Sequence, residues 1–170
     1  MHSRAVRIKK LGRLLTIRPL RHGDTETVAA LFDRLGTELR VRRFNGAKPR
    51  LSDAELAQLA TVDSRQLALV AYIDGDPQPA GIAQLVRDPH CWTHAEIAFA
   101  VADCYHGQRV GSALVELLAA DARAAGITHL TATMQSSNAV AYALVRKVSK
   151  VVDIRQQAGE TEIVAALEAA

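Results

Sequence analysis

Cysteine is scarce in this chain: its 170 residues include only Cys91 and Cys104. Two thiols do not make the disulfide framework of a small secreted domain, so the cytoplasm is the expected compartment. No apolar run approaches the roughly 18 residues that a membrane span needs, so no membrane partner is expected. The N-terminus is basic but lacks an apolar segment followed by a small-residue cleavage site, and no signal peptide is read there. Aromatic residues make up 4% of the chain. No nucleic-acid reader motif accompanies the basic stretches, so no nucleic-acid partner is expected either. Repeats, low-complexity tracts and linkers are also missing. The length suits one domain, which buries about 70% of the surface its unfolded form exposes.

The charge present is unevenly spread. Residues 1–21 carry seven Lys/Arg and no acid, and residues 40–50 carry five more with no acid. The remainder holds nine bases against all 18 acids. Two basic patches on an acidic body can steer an anionic ligand or partner. Residues 1–12 read as a basic N-terminal segment preceding the first strand, with no element of its own, and residues 40–50, with Gly46 and Pro49, as a loop.

The stretch from Ala95 to Gly126 organises the rest. Glu96–Val101 is short and apolar after its first residue and reads as a strand. Val110, Leu114, Leu117, Leu118, Ala122 and Ala125 recur at helical spacing before a stop at Gly126. Between them lies His106-Gly107-Gln108-Arg109-Val110-Gly111-Ser112. A strand, a glycine-bearing loop and a helix aim free backbone N–H groups and a positive helix end at one place. That is an anion site, suited to phosphate, with one carboxylate, Glu96, on the strand leading into it.

Around this unit, residues 14–20 read as a strand ended by Pro19, and Asp24 as the cap of a helix from Thr25 to about Leu35. A second helix begins at Ser52, with Glu55 completing a capping box. Residues 67–73 and 80–87 form a hairpin across Asp74-Gly75-Asp76-Pro77. Residues 128–134 are β-rich, a helix follows from Asn138 to about Lys147, and residues 150–155 and 160–167 form a last hairpin across Gly159. The expected fold is α/β of the α+β type. It has a mixed, mostly antiparallel sheet of six to seven strands, helices on both faces and one βαβ crossover around the loop.

These residues resemble the GNAT superfamily of N-acetyltransferases in element order from about residue 14 to 166. The superfamily's loop signature, Gln/Arg-x-x-Gly-x-Gly/Ala, falls on His106–Gly111. Gly111 is kept, whereas His106 stands for Gln/Arg and Arg109 for the first glycine. A closer resemblance is to the Pat-type bacterial protein lysine acetyltransferases. It is carried by Arg42-Arg43-Phe44, Pro49-Arg50-Leu51-Ser52, Glu55-Leu56, Leu59, Val62-Asp63, residues 68–71, and the strand His94–Asp103 of the form AE-x-A-x-x-V. The resemblance implies acetyl-CoA as donor and a primary amine, often a protein lysine, as acceptor.

Residue by residue, the resemblance assigns the general base to Glu96. Such a base is needed because a free lysine has a pKa near 10.4 and must lose a proton to attack. It assigns thioester and pantetheine contacts to the backbone of Phe99, Ala100 and Val101. It assigns the pyrophosphate to the N–H groups of His106, Gly107, Gln108, Arg109, Val110, Gly111 and Ser112, and a pantetheine contact to Asn138. Arg109 replaces a glycine, so it is expected to fit only with negative φ, its guanidinium turned away or on a phosphate. The superfamily's thiolate-protonating tyrosine position is Val145, with Tyr142 one turn earlier, and Ser149-Lys150 replaces the usual Gly-Phe. His90, Cys91, His94, Cys104 and His106 fit no common zinc spacing, so no metal is expected. Cys104 beside His106 is not read as a nucleophile–base pair. The chain is expected to be a monomer or a homodimer. Two other readings remain open at this stage: a small-molecule amine as acceptor, and a catalytically degenerate module that binds acyl-CoA or a protein partner.

Overall fold

A computed structural model describes residues 4–8, 12–38, 40 and 49–167. In chain order the elements are β1 (Arg4–Ile8), β2 (Arg13–Pro19), α1 (Thr25–Asp33), α2 (Asp53–Leu59), β3 (Gln66–Ile73), β4 (Pro79–Arg87) and β5 (His94–Val101). There follow a 3₁₀ turn (Asp103–Tyr105), α3 (Val110–Ala124), β6 (His129–Gln135), α4 (Ala139–Val148), β7 (Lys150–Gln157) and β8 (Glu160–Ala166).

The strands form one sheet of order β1-β2-β3-β4-β5-β6-β8-β7. Every neighbouring pair is antiparallel except β5–β6. That parallel pair closes the expected crossover through α3. The sheet has eight strands where six to seven were expected. The added strand is β1, which pairs with β2 in the register Arg4↔Ile17 to Ile8↔Arg13. The segment 1–12, read without any element, thus contains a strand. The basic loop read at 40–50 lies largely outside the described residues.

Period-2 alternation sorts the faces. Ala95 and Ile97 of β5, Leu130, Ala132 and Met134 of β6, and Ile163 and Ala165 of β8 are buried on the face that α3 and α4 cover. α3 supplies Val110, Leu114, Leu118 and Ala122 to this layer. Gly81 on β4 makes the fit possible, because a Cβ there would stand 2.9 Å from the Leu114 Cδ1. The other face of β3 and β4 is covered by α1 and α2. There Val28, Leu31, Phe32, Leu35 and Leu59 surround Ile82, Gln84 and Ala100. Beyond α1, the same face of β5 and β6 carries Glu96, Thr131 and Thr133, of which Glu96 and Thr133 are exposed.

The starts of α1 and α2 follow their sequence signals. Ser52 and Glu55 make the reciprocal capping box of α2. The Asp24 carboxylate accepts from the Thr27 N–H of α1 at 3.1 Å. α1 ends at Asp33, two residues before the expected Leu35, and the next amides, of Arg34 and Leu35, bond back to the carbonyls of Leu31 and Phe32.

Candidate active site

The site is built where β5 and β6 part. Their ladder runs only from His94↔His129 to Glu96↔Thr131, yet β5 continues to Val101 and β6 to Gln135. Beyond Ile97, among the described residues, β5 is bonded on one side alone, to β4. In an antiparallel ladder alternate residues bond across, and those between face the other way. The Ala102 N–H donates to the Ala80 carbonyl, and the Asp88 N–H donates to the His94 carbonyl. These bonds set the even-numbered residues of β5 toward β4. The N–H groups of Phe99 and Val101 therefore face the gap, and that of Ala100 faces β4. Of the three backbone contacts expected from the sequence, two have a free donor and Ala100 does not.

A cleft of about 320 Å³ occupies the gap. Its walls are Phe99–Val101 of β5, Tyr105, His106 and Gly107 of the connecting loop, Arg109–Ser112 at the start of α3, and Asn138, Val140, Ala141 and Leu144 at the start of α4. The structure thus brings together most of the expected cofactor contacts. Gln108 is absent from the walls; its amide nitrogen bonds to the Cys104 carbonyl at 2.8 Å. The His106 ring reaches back through Nε2 to the Val101 carbonyl at 2.9 Å, fastening the loop to the end of β5.

The start of α3 is open. Its cap residue, Arg109, makes no side-chain cap bond, and no acid occurs in the first turn. Val110, Gly111 and Ser112 carry the leading N–H groups that a helix cannot satisfy internally. They face the cleft together with the positive end of a 15-residue helix, the arrangement that suits phosphate oxygens. Gly111 lets α4 come close, since a Cβ there would lie 3.3 Å from the Leu144 Cδ1.

Arg109 corrects one expectation. Its φ is +67°, in the left-handed region, not negative. Arginine thus occupies a backbone conformation suited to glycine, as does Gly107 at φ +68° on the same loop. The loop keeps its shape and carries the strain instead, because α3 and the cleft walls on either side hold it. The Arg109 side chain is exposed and has no ion-pair partner among the described residues.

Asn138 caps α4, its Oδ1 accepting from the Ala141 N–H at 3.1 Å. The same residue is one of the cleft walls. Tyr142 does not line the cleft, and the Arg146 guanidinium lies 5.7 Å from its ring centre. Val145 is fully buried. No side chain of α4 among those lining the cleft is therefore an acid for a leaving thiolate.

Glu96 stands at the last paired position of β5, on the open face of the sheet. It is exposed and makes no hydrogen bond or ion pair among the described residues. It lies outside the cleft walls, three residues from Phe99, about 10 Å along the strand. No three of the described His, Cys, Asp and Glu residues come together as a metal site.

One group was invisible to sequence reasoning. Asp76, in the β3–β4 turn, accepts at Oδ2 from Arg34 at 2.8 Å and from the Tyr105 hydroxyl at 2.6 Å. The Arg34 guanidinium holds the Asp76 carboxyl down at about 2. Burial and that carboxylate push Tyr105 above the usual tyrosine range. Only the tyrosine's closeness to the loop could have drawn attention to it.

Fold and cleft together describe an enzyme that holds a phosphate-bearing chain between two parted strands. The profile of the acetyltransferase (GNAT) family matches residues 34–149, and the chain belongs to that family. It is 32% identical over 133 residues to Acetyltransferase PA5475 of Pseudomonas aeruginosa, covering 75% of this chain and 69% of that protein. It is 29% identical over 130 residues to Acetyltransferase Pat of Mycolicibacterium smegmatis, covering 76% of this chain but only 39% of Pat. Among solved structures, the GNAT domain of S. lividans PAT superposes with a TM-score of 0.84 at 24% identity, over 97% of both chains.

Proposed function

We propose that this acetyltransferase moves the acetyl group of acetyl-CoA onto the side-chain amine of a protein lysine, with Glu96 as general base. The observation that carries this reading is the parting of β5 from β6 over the uncapped start of α3. It leaves strand N–H groups, helix N–H groups and a carboxylate in sequence along one path. Bound there, acetyl-CoA supplies an acyl group activated as a thioester.

The chain's own groups divide the work. The amides of Val110, Gly111 and Ser112 hold the pyrophosphate, with the Arg109 guanidinium at the mouth. The Asn138 amide and the Val101 N–H steady the pantetheine arm. The Phe99 N–H donates to the thioester carbonyl and meets the charge that grows on its oxygen. Glu96 takes a proton from the incoming ammonium, directly or through water, so that the nucleophile is a neutral amine. With Val145 and Tyr142 excluded by position, the departing thiolate takes its proton from solvent, as its own basicity permits. A lysine on a protein is favoured over a small amine because Glu96 is exposed, with no hydrogen bond or ion pair among the described residues. The basic stretch 40–50 favours a substrate with an acidic surface.

Calorimetric titration with acetyl-CoA tests the reading first. Saturable binding that weakens with added salt is the expected outcome, and no binding at millimolar concentration would overturn it. Incubation with acidic lysine-bearing proteins and with small polyamines, read by mass spectrometry, then decides the acceptor.

A further inference from the structure

Three side chains far apart in sequence meet on one oxygen behind the cleft. Asp76 Oδ2 accepts from Arg34 Nη2 at 2.8 Å and from the Tyr105 hydroxyl at 2.6 Å. Arg34, the C-cap of α1, also donates from Nη1 to the Pro79 carbonyl at 3.2 Å. Its guanidinium lies 5.4 Å from the Tyr105 ring centre and 3.4 Å from the Cys104 Sγ. Tyr105 is buried and is one of the residues that line the cleft. Backbone bonds run beside these contacts. The Asp103 N–H reaches the Arg34 carbonyl at 3.4 Å, and the Gly36 N–H donates to the Asp103 carboxylate at 3.1 Å.

The chemistry makes this a lock. An ion pair sharing its acceptor with a phenol gives charge-assisted bonds, which are shorter and stronger than neutral ones. Asp76 is ionised and Tyr105 protonated throughout the working pH range, so donor and acceptor do not exchange roles. The phenol proton is directed at Asp76, which bars Tyr105 from serving the thiolate.

We infer that Tyr105 is a positioning residue for acetyl-CoA, held by Asp76 and Arg34 so that its ring fixes the cleft wall and its backbone fixes the loop from His106 to Gly111. The Gln108 N–H, bonded to the Tyr105 carbonyl at 3.4 Å, passes that placement into the loop. Through Arg34 the same lock ties the loop to α1, which covers the opposite face of the sheet. The inference rests on the acetyl-CoA reading above. An interaction present before and throughout the reaction changes ground-state and transition-state binding alike, so its loss belongs in KM for acetyl-CoA rather than in kcat.

The test uses the full chain with Tyr105→Phe, Asp76→Asn and the double variant, titrated with acetyl-CoA and followed through thermal unfolding and steady-state kinetics. Tyr105→Phe keeps the ring and removes only the bond. Each single variant is expected to weaken acetyl-CoA binding by roughly 5- to 10-fold, less than the full worth of a bond to a charged group because the bond acts on the ligand only through the loop. KM for acetyl-CoA should rise to match, with kcat within about twofold. The double variant should bind no more weakly than Asp76→Asn, because the neutral amide already loses the charge-assisted bond that Tyr105→Phe removes. Should Asp76→Asn fail to fold, Tyr105→Phe decides alone. A lower melting temperature with unchanged affinity in Tyr105→Phe would show a brace for the fold and overturn the inference, as would additive losses in the double variant. Wild-type protein that binds no acetyl-CoA overturns the parent reading, and this one with it; binding by the wild type with unaffected variants overturns this one alone.

Discussion

The two halves of β5 differ in how their backbone is satisfied. The segment from His94 to Ile97 is bonded on both sides, to β4 and to β6, whereas the segment from Ala98 to Val101 is bonded to β4 alone among the described residues. The doubly bonded half carries the exposed carboxylate, and the singly bonded half carries the open amides. An unpaired backbone donor away from water is costly, so a protein leaves it open only where solvent or a ligand completes it. A carboxylate that must stand at a set distance from a reacting atom benefits from a rigid anchor instead. The helices repeat the contrast. α2 and α4 begin under Ser52 and Asn138, each with its side-chain oxygen on a leading amide. α3, which faces the cleft, begins under an arginine that caps nothing.

The largest expected effect comes from the closed half. Glu96→Gln keeps shape and removes the proposed base, so turnover at neutral pH should fall roughly 10²- to 10⁴-fold. Acetyl-CoA affinity should stay within about twofold, because the residue lies outside the cleft. The deficit should shrink at high pH, where more of the amine is already neutral. Unchanged turnover at pH 7 removes Glu96 from the chemistry.

A pair of prolines breaks the contrast between neighbouring residues of the open half. Ala100→Pro deletes an N–H that bonds to β4 and should destabilise the fold by about 1–3 kcal/mol, the cost of leaving the partner carbonyl unsatisfied. Val101→Pro deletes an N–H that faces the cleft. It should leave the fold less affected and weaken acetyl-CoA binding by roughly 10-fold, the worth of one donor. Thermal unfolding and calorimetry on the two variants read this directly. Equal loss of stability would mean that the alternation of donors along β5 has been assigned the wrong way round.

A smaller effect reports on the lock behind both halves. The Asp76 carboxyl is lowered from 3.8 to about 2. A depressed carboxylate contributes stability above its unfolded value, and the contribution disappears as pH falls through the folded one. The gap in unfolding free energy between wild type and Asp76→Asn should thus be steady from pH 8 to 5, at about 2 kcal/mol. It should narrow between pH 4 and 2. A gap that widens in acid contradicts the assignment.

How much of this was legible in the sequence depends on how local each signal is. The unit Glu96–Gly126, the Ser52/Glu55 box and the Asp24 and Asn138 caps are written within a few residues, and each is found in the structure. The strand Arg4–Ile8 is not legible because its five residues, two of them arginine, show a charge patch and no strict alternation. Free donors on Phe99 and Val101 but not Ala100 follow from register with β4, which no single strand encodes. The Arg34–Asp76–Tyr105 contact joins residues 29 to 42 positions apart that only the topology brings together. Arg109 misled for a different reason. Its residue type argues for negative φ, but the geometry of the loop overrides the preference of one side chain.

That override supports the smallest and most informative change, Arg109→Gly. At φ +67° an arginine carries a penalty of about 1 kcal/mol or more that glycine does not. Glycine also adds freedom to the unfolded chain, which takes back part of the gain. The net expectation is a melting temperature higher by a few degrees at most, since about 1 kcal/mol corresponds to roughly 2–4 °C at this size. Affinity is the sharper readout. The exposed guanidinium stands beside amides that await phosphate, and a bidentate contact from it would add to theirs. Arg109→Gly should therefore weaken acetyl-CoA binding several-fold and flatten its salt dependence, while the fold becomes no less stable. Stability and affinity would then move apart at one residue, as they do where strain is held in a working loop. Tighter binding in Arg109→Gly would instead make the arginine an obstruction at the cleft mouth, and the open start of α3 would owe nothing to the side chain that begins it.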